Sequence, residues 1–225
     1  VLDKLLNSLE RKRGADPLVV GVTGGVAAGK STLAAELAAR MRSWPATVEI
    51  VGSDGFLFDN KTLEAAGLTL RKGCPETYDT AALAAAIGAI REGAADFPGY
   101  SHSRYDVDPA LTRRLERPDV LIVEGLGLGG APVDALIYLD ASEADLETWF
   151  VKRFMGLWDA GRSDATSFYA RFAAMTPDQA DAFARQVWHG VNLPNIRQNV
   201  LPLRDIADIV VEKSSDHAIE RVIER

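Results

Sequence analysis

The chain has 225 residues, 47% of them hydrophobic and 25% charged, with a formal net charge of −7. That length holds one α/β domain with a full core, and the acidic balance argues against a nucleic-acid partner. No apolar run approaches the roughly 20 residues a membrane helix needs, and the single cysteine, Cys74, excludes an internal disulfide and suits a reducing compartment.

Val1 to Arg13 mixes charges with leucines and lacks the apolar centre of a signal peptide, so the expected location is the cytoplasm. Leu2, Leu5, Leu6 and Leu9 fall on one stripe, which predicts an amphipathic helix. Leu18–Val22 is expected as a first buried strand, Ser31–Arg42 as a helix and Thr47–Gly52 as a second strand. Thr80–Arg91 is an expected helix closed by Gly93. Val120–Val123 and Ala135–Leu139 are further strands. Ser142–Leu157 is a helix with Ser142 as its N-cap and Asp145 favourable to its dipole. Phe154–Arg171, rich in aromatics and arginines, is read as the start of a mobile lid within 154–190. Pro177–Val191 is a helix with Thr176 as cap and Pro177 in its first turn. Ile206–Val211 is a last strand, followed by a terminal helix from Asp216. Short apolar strands alternating with helices predict a three-layer α/β fold with a mainly parallel sheet covered on both faces; the aromatic and basic segment adds a helical lid, and the Gly24–Ser31 motif makes the expected fold P-loop NTPase-like. The chain reads as one such domain over 1–225, with ligands bound at the C-terminal edge of the strands.

Gly24-Gly25-Val26-Ala27-Ala28-Gly29-Lys30-Ser31 fits G-x-x-x-x-G-K-[ST] in full, between a predicted strand and a predicted helix. Glycines let successive N–H groups curl inward at phosphate oxygens, and the helix N-terminus adds positive potential. Lys30 is expected at the β- and γ-phosphates of ATP, and Ser31 at Mg²⁺ with Thr32 beside it. A GTPase would need Asn-Lys-x-Asp, and Asn60-Lys61-Thr62-Leu63 lacks the final acid. No Ser-Gly-Gly signature of a transporter ATPase is present. Gly125 to Gly130 has the letters of a dinucleotide fingerprint but leads to Pro132 and a strand, not a helix. A small-molecule kinase is therefore favoured.

Thr47–Gly52 delivers Ser53-Asp54-Gly55-Phe56 to the sheet edge. A carboxylate there can accept a substrate hydroxyl proton in line with the γ-phosphate, although an aspartate before glycine is also a common turn. Glu124 ends the strand from Val120 and reads either as an acid orienting Mg²⁺-bound water or as a turn cap. Lys152 or Arg153, late in a helix, can clamp phosphate or simply complement the helix dipole. Tyr100-Ser101-His102-Ser103-Arg104-Tyr105-Asp106 is polar, aromatic and basic together and reads as substrate-contacting. Composition alone does not single out His102.

Several motifs recur in order: Gly24–Thr32, Ser53 to Leu57, Arg71-Lys72-Gly73-Cys74-Pro75-Glu76-Thr77-Tyr78-Asp79, Tyr100-Ser101-His102, Val123-Glu124-Gly125-Leu126, Asn192-Leu193-Pro194-Asn195 and Asp216-His217-Ala218. This series resembles type I (bacterial) pantothenate kinase, in the P-loop group that includes uridine kinase and phosphoribulokinase. The resemblance implies ATP-dependent phosphorylation of the pantothenate hydroxyl, the first step toward coenzyme A, by a homodimer. It implies Lys30 and Ser31 at ATP and Mg²⁺, Asp54 at the hydroxyl, Arg153 at the transferring phosphate, and Tyr100, His102 and Asn195 lining the substrate pocket. Phe150 stands where the family has a pocket tyrosine. Gly127 replaces an asparagine, Cys74 an aromatic, and Ala35 an arginine that helps bind coenzyme A as feedback inhibitor. Members usually carry a longer N-terminal region. Kinases of a nucleoside such as uridine, a sugar or glycerate are the alternative, as is a non-catalytic nucleotide-binding regulator.

Overall fold

The computed structural model describes residues 2–44 and 46–225. Val1, the first residue of the expected amphipathic helix, and Pro45 lie outside the described residues. The first helix, α1 (Leu2–Arg11), buries Leu2, Leu5 and Leu9. Leu5 and Leu9 are 0% exposed. Each such leucine contributes about 1.5–3 kcal/mol relative to an exposed one, enough to hold a three-turn helix that would be marginal alone.

The central sheet joins β1 (Leu18–Gly24), β2 (Val48–Gly52), β5 (Val120–Glu124), β6 (Ala135–Asp140), β7 (Ile209–Lys213) and β8 (Ile219–Glu224) in the order β2-β5-β1-β6-β7-β8. β1, β2, β5, β6 and β7 pair in parallel, and β8 closes the edge antiparallel to β7. β1 is buried along its whole length, as a central parallel strand with helices on both faces must be.

The middle helices are α2 (Lys30–Met41), α3 (Asn60–Ala65), α4 (Thr80–Glu92), α5 (Glu143–Gly161) and α6 (Pro177–Val187). One face of the sheet packs Leu33, Leu37, Met41, Trp149 and Trp188 against Val20, Val22 and Ile122. The other packs Leu83, Ile87, Ile90 and Phe97 against Val19, Leu121 and Val123. The three-layer α/β architecture follows. Helix boundaries obey local chemistry. Ser142 accepts from the Asp145 N–H at the start of α5. Thr176 and Gln179 form a capping box on α6, with Pro177 in its first turn. Gly93 follows α4.

The tail departs from expectation. No terminal helix starts at Asp216; the chain turns at Ser214–Ala218 and returns as β8. Val222 is 7% exposed and packs into the core, so pairing with β7 outweighs local helix preference. The expected strand from Ile206 begins instead at Ile209, because Ile206 ends a short helix, Pro202–Ile206.

A two-stranded hairpin, β3 (Ala94–Ser101) and β4 (Asp106–Glu116), stands apart from the main sheet. It is absent from the sequence reading because β4 is mostly exposed and Pro98, Gly99 and Pro109 interrupt its pattern.

The expected helix through Val191 is regular only to Val187. It then widens into π-helical turns at Trp188–Asn192 and Ile196–Val200, flanking Leu193–Asn195. Pro194 and Pro202 each remove an amide donor from this stretch, a recognised cause of altered pitch.

The 154–190 segment forms a helical layer with its own small core of Phe154, Trp158, Tyr169, Ala180 and Ala184. Among the described residues no helix is long and apolar enough to cross a membrane.

Candidate active site

Parallel pairing brings three strand ends side by side. Gly52 and Val22 both register with Glu124, and Gly24 registers with Leu139. The loop from Gly24 to Lys30 leaves β1 here and enters α2. Gly24 has φ +143, Ala27 φ +65 and Gly29 φ +91. A Cβ on Gly24 would lie 2.5 Å from the Leu139 carbonyl oxygen, so that curl requires glycine. The loop turns back on itself through Ala28 N–H donating to the Gly25 carbonyl at 3.2 Å. Val26 and Ala27 are half-buried and pack on the core from this loop, and Ala28 is fully buried.

Lys30 Nζ donates to the carbonyls of Gly24, at 3.2 Å, and Gly25, at 2.9 Å. Burial lowers its pKa most; Glu124 and Asp54 oppose that shift, and Arg153 adds to it. Ser31 Oγ donates to Glu124 Oε1 at 2.8 Å. Burial raises the Glu124 pKa, against Lys30 and the Ser31 hydrogen bond. These two adjacent oxygen donors suit Mg²⁺, a hard cation that takes most of its ligands from water and phosphate.

A cavity of about 430 Å³ opens beside the loop, lined by Gly29, Thr32, Glu36, Arg40, Lys213 and His217 among others. Lys213 Nζ reaches from β7 to the Ala28 carbonyl at 2.9 Å. His217, at φ +69, stacks on Trp149 with centroids 3.7 Å apart. Lys213 carried no signal in the sequence, since it lies 185 residues from the carbonyl it holds.

A second cavity of about 180 Å³ adjoins the first site at Glu124. Asp54, Gly55, Gly99, Tyr100 and His102 line it. Asp54 sits in a single helical turn, Ser53–Phe56, directly after β2. Gly55 lies against the hairpin, where a Cβ would be 1.9 Å from the Pro98 carbonyl oxygen. Tyr100 and His102 meet edge to face at 5.2 Å. Burial pushes the Tyr100 hydroxyl well up, and burial followed by the Arg153 charge holds the His102 imidazole below 6.5. Arg153 thus acts electrostatically on Lys30, Glu124 and His102, whereas Lys152 acts on His217.

Two expected pocket residues line neither cavity. Phe150 packs on Trp188 with ring centroids 5.8 Å apart. Asn195, 7% exposed, donates through Nδ2 to the Gly73 carbonyl at 2.9 Å and accepts from Asn199 at 2.8 Å. Two residues carried only as motif letters have defined contacts. Tyr78 donates to Asp54 Oδ1 at 2.9 Å. Lys72, its side chain 4% exposed, donates to Asn60 Oδ1 at 2.6 Å and the Tyr105 carbonyl at 2.7 Å and lies over the Tyr100 ring at 5.1 Å.

No protein-family model matches the chain. A pantothenate kinase from Sorangium cellulosum (strain So ce56) is 41% identical over 229 residues, spanning 95% of this chain and 74% of that protein. A pantothenate kinase from Rhizobium rhizogenes is 41% identical over 225 residues, spanning 92% of this chain and 68% of that protein. Among solved structures, a putative fructose transport system kinase from Silicibacter sp. TM1040 superposes with a TM-score of 0.71 at 27% identity, covering 88% of this chain and 92% of that one. A possible uridine kinase from Bacillus stearothermophilus shares the fold, with a TM-score of 0.52 at 19% identity over 72% of this chain and 90% of that one. With that identity carried over nearly its whole length, on a P-loop α/β fold, the chain belongs to the pantothenate kinase family.

Proposed function

We propose that the chain transfers the γ-phosphoryl group of ATP to the primary hydroxyl of pantothenate, giving 4'-phosphopantothenate for coenzyme A synthesis. The observation that carries this reading is the convergence of Lys30, Asp54 and Glu124 at adjacent strand ends, where Asp54 and Glu124 line the Tyr100–His102 cavity and both act electrostatically on Lys30. Membership of the family supplies the substrate.

In this reading the Gly24–Thr32 backbone cradles the phosphates of ATP, and Lys30 turns from the loop carbonyls toward them. Ser31 and Glu124, the latter through water, would hold Mg²⁺, which would supply positive charge to neutralise the phosphates. Asp54 accepts the hydroxyl proton and holds that oxygen in line for attack. The new O–P bond forms as the bond to the ADP leaving oxygen breaks, without a phosphoenzyme. Arg153 reaches the transferring group from α5, where its charge already bears on the site. Tyr100 and His102 form the substrate wall, with His102 a neutral imidazole able to donate or accept. Phe150 and Asn195, which line neither cavity, act on the pocket through the groups they touch, Trp188 and the Gly73 carbonyl. The 154–190 layer closes over the site as a lid on a single kinase domain spanning 1–225. The protein works as a cytoplasmic homodimer.

Coupled ADP release from Mg·ATP, with pantothenate beside uridine, fructose and glycerate, tests the assignment. Stimulation by pantothenate alone is the expected result. Turnover of another hydroxyl would keep the kinase and move the substrate. ADP release stimulated by none of them would replace catalysis with a nucleotide-binding regulator.

A further inference from the structure

Asp54 has two carboxylate oxygens, and the structure treats them differently. Oδ1 accepts the Tyr78 hydroxyl at 2.9 Å. Among the described residues no other donor meets the carboxylate, and Asp54 lines the cavity of Tyr100 and His102. One oxygen is therefore engaged by the protein while the other is left for a ligand.

The phenol is built in from three sides. Tyr78 is 5% exposed. Its backbone bridges to Leu57, at the end of the turn that carries Asp54. Its ring lies against Gly127, where a Cβ would be 2.7 Å from Cδ1 and 2.8 Å from Cε1. Those are ring atoms near the fixed end of the side chain, so a residue with a side chain at 127 would displace the ring. Gly127 N–H also donates to Ser53 Oγ at 3.3 Å, tying the loop after β5 to the same turn. Burial first, then the Asp54 charge, pushes the Tyr78 hydroxyl well above its usual range. The phenol therefore keeps its proton and meets Asp54 as a donor.

We propose that Tyr78 is a positioning residue for phosphoryl transfer: its hydroxyl locks the Asp54 carboxylate so that the second oxygen faces the acceptor hydroxyl, and Gly127 supplies the room its ring needs. This rests on the reading of Asp54 as the acid at the hydroxyl. By the resemblance an asparagine stands at 127 beside the same tyrosine, so the close packing of this ring on Gly127 belongs to this chain.

The test compares Asp54→Asn, Tyr78→Phe, the double variant and Gly127→Ala in the full chain, by coupled assay at saturating Mg·ATP and pantothenate. ATP binding is followed by calorimetry and folding by the thermal midpoint. Tyr78→Phe should lower kcat by about tenfold to a hundredfold, the scale of a misplaced reacting group. KM for both substrates and the ATP affinity should stay within about twofold, since the lost interaction acts on the transition state. In the Asp54→Asn background, adding Tyr78→Phe should cost less than about twofold. Gly127→Ala should reproduce the kcat loss and add little to Tyr78→Phe. A Tyr78→Phe kcat within about twofold of wild type, or an equal loss in both Asp54 backgrounds, would overturn the positioning role. Near-normal turnover by Asp54→Asn would remove the reading of Asp54 and the inference together. Loss in Asp54→Asn beside full activity in Tyr78→Phe would remove the inference alone.

Discussion

The Ser31 hydroxyl, in the first turn of α2, donates to Glu124 Oε1 at 2.8 Å, joining the loop after β1 to the end of β5 across 93 residues of chain. The bond presents two hard oxygens together where Mg²⁺ is proposed. Glu124→Gln keeps the hydrogen bond and removes the charge. It should lower kcat by about tenfold to a hundredfold and raise the Mg²⁺ concentration needed for half-maximal activity. A Mg²⁺ titration of the coupled assay measures both. An unchanged Mg²⁺ dependence would confine Glu124 to a structural role.

Gly55 tests how tightly the hairpin is docked. A Cβ at 55 would lie 1.9 Å from the Pro98 carbonyl oxygen, a backbone atom with little freedom to move. Gly55→Ala should destabilise the protein by about 1–3 kcal/mol, as overpacking does. Urea unfolding reads this directly. Activity should fall as well, because the hairpin carries Tyr100 and His102 at its tip. Wild-type stability would show that the turn and hairpin separate at no cost.

His102 predicts a pH dependence. Its imidazole is held below 6.5, first by burial and then by the Arg153 charge, with Asp54 opposing. Just below pH 6.5 the unfolded chain takes up a proton that the native ring still refuses. Stability therefore falls as pH drops through 6.5, and that loss levels off below the native pKa. Between about pH 7.5 and about pH 5.5, His102→Asn should lose less of its urea midpoint than wild type. Parallel losses would show that the ring titrates as it does in the unfolded chain.

Ala35 bears on regulation. It is exposed on α2 one position before Glu36, which lines the loop-side cavity. By the resemblance, an arginine at this position helps bind coenzyme A as inhibitor, and alanine cannot pair with phosphate. Competition of coenzyme A with ATP should be weak or absent, and Ala35→Arg should tighten it. Tight competition in the wild-type chain, measured by steady-state kinetics, would disprove this.

The parts of the site legible in the sequence are those written in contiguous stretches. The Gly24–Ser31 loop could be read because its glycines, lysine and serine act through one local backbone curl. Ser142 and Thr176 could be read as caps because a cap bonds within its own first turn. The β3–β4 hairpin could not, because Pro98 interrupts β3 and the mostly exposed β4, interrupted by Pro109, has no apolar alternation. The tail from Asp216 has polar and apolar residues that suit either helix or strand, and only the free edge of β7 selects β8. Asn195 stands in a distinctive sequence segment, but its amide meets Gly73, 122 residues away.

What the sequence offered by itself was the phosphate-binding loop, the alternation of buried strands and helices, and Asp54, Glu124 and one of Lys152 or Arg153 as candidate groups, with Arg153 preferred only through the family resemblance. Each depends on spacing within one element. Only the tertiary structure decided that β2, β5 and β1 lie side by side, so that residues 54, 124 and 30 share one edge. It also decided that Tyr78 donates to Asp54, that Gly127 makes room for its ring, and that Lys213 holds the Ala28 carbonyl. Strand order and cross-chain packing arise from burying both faces of one sheet at once. That is a property of the whole chain, and no single stretch of residues carries it.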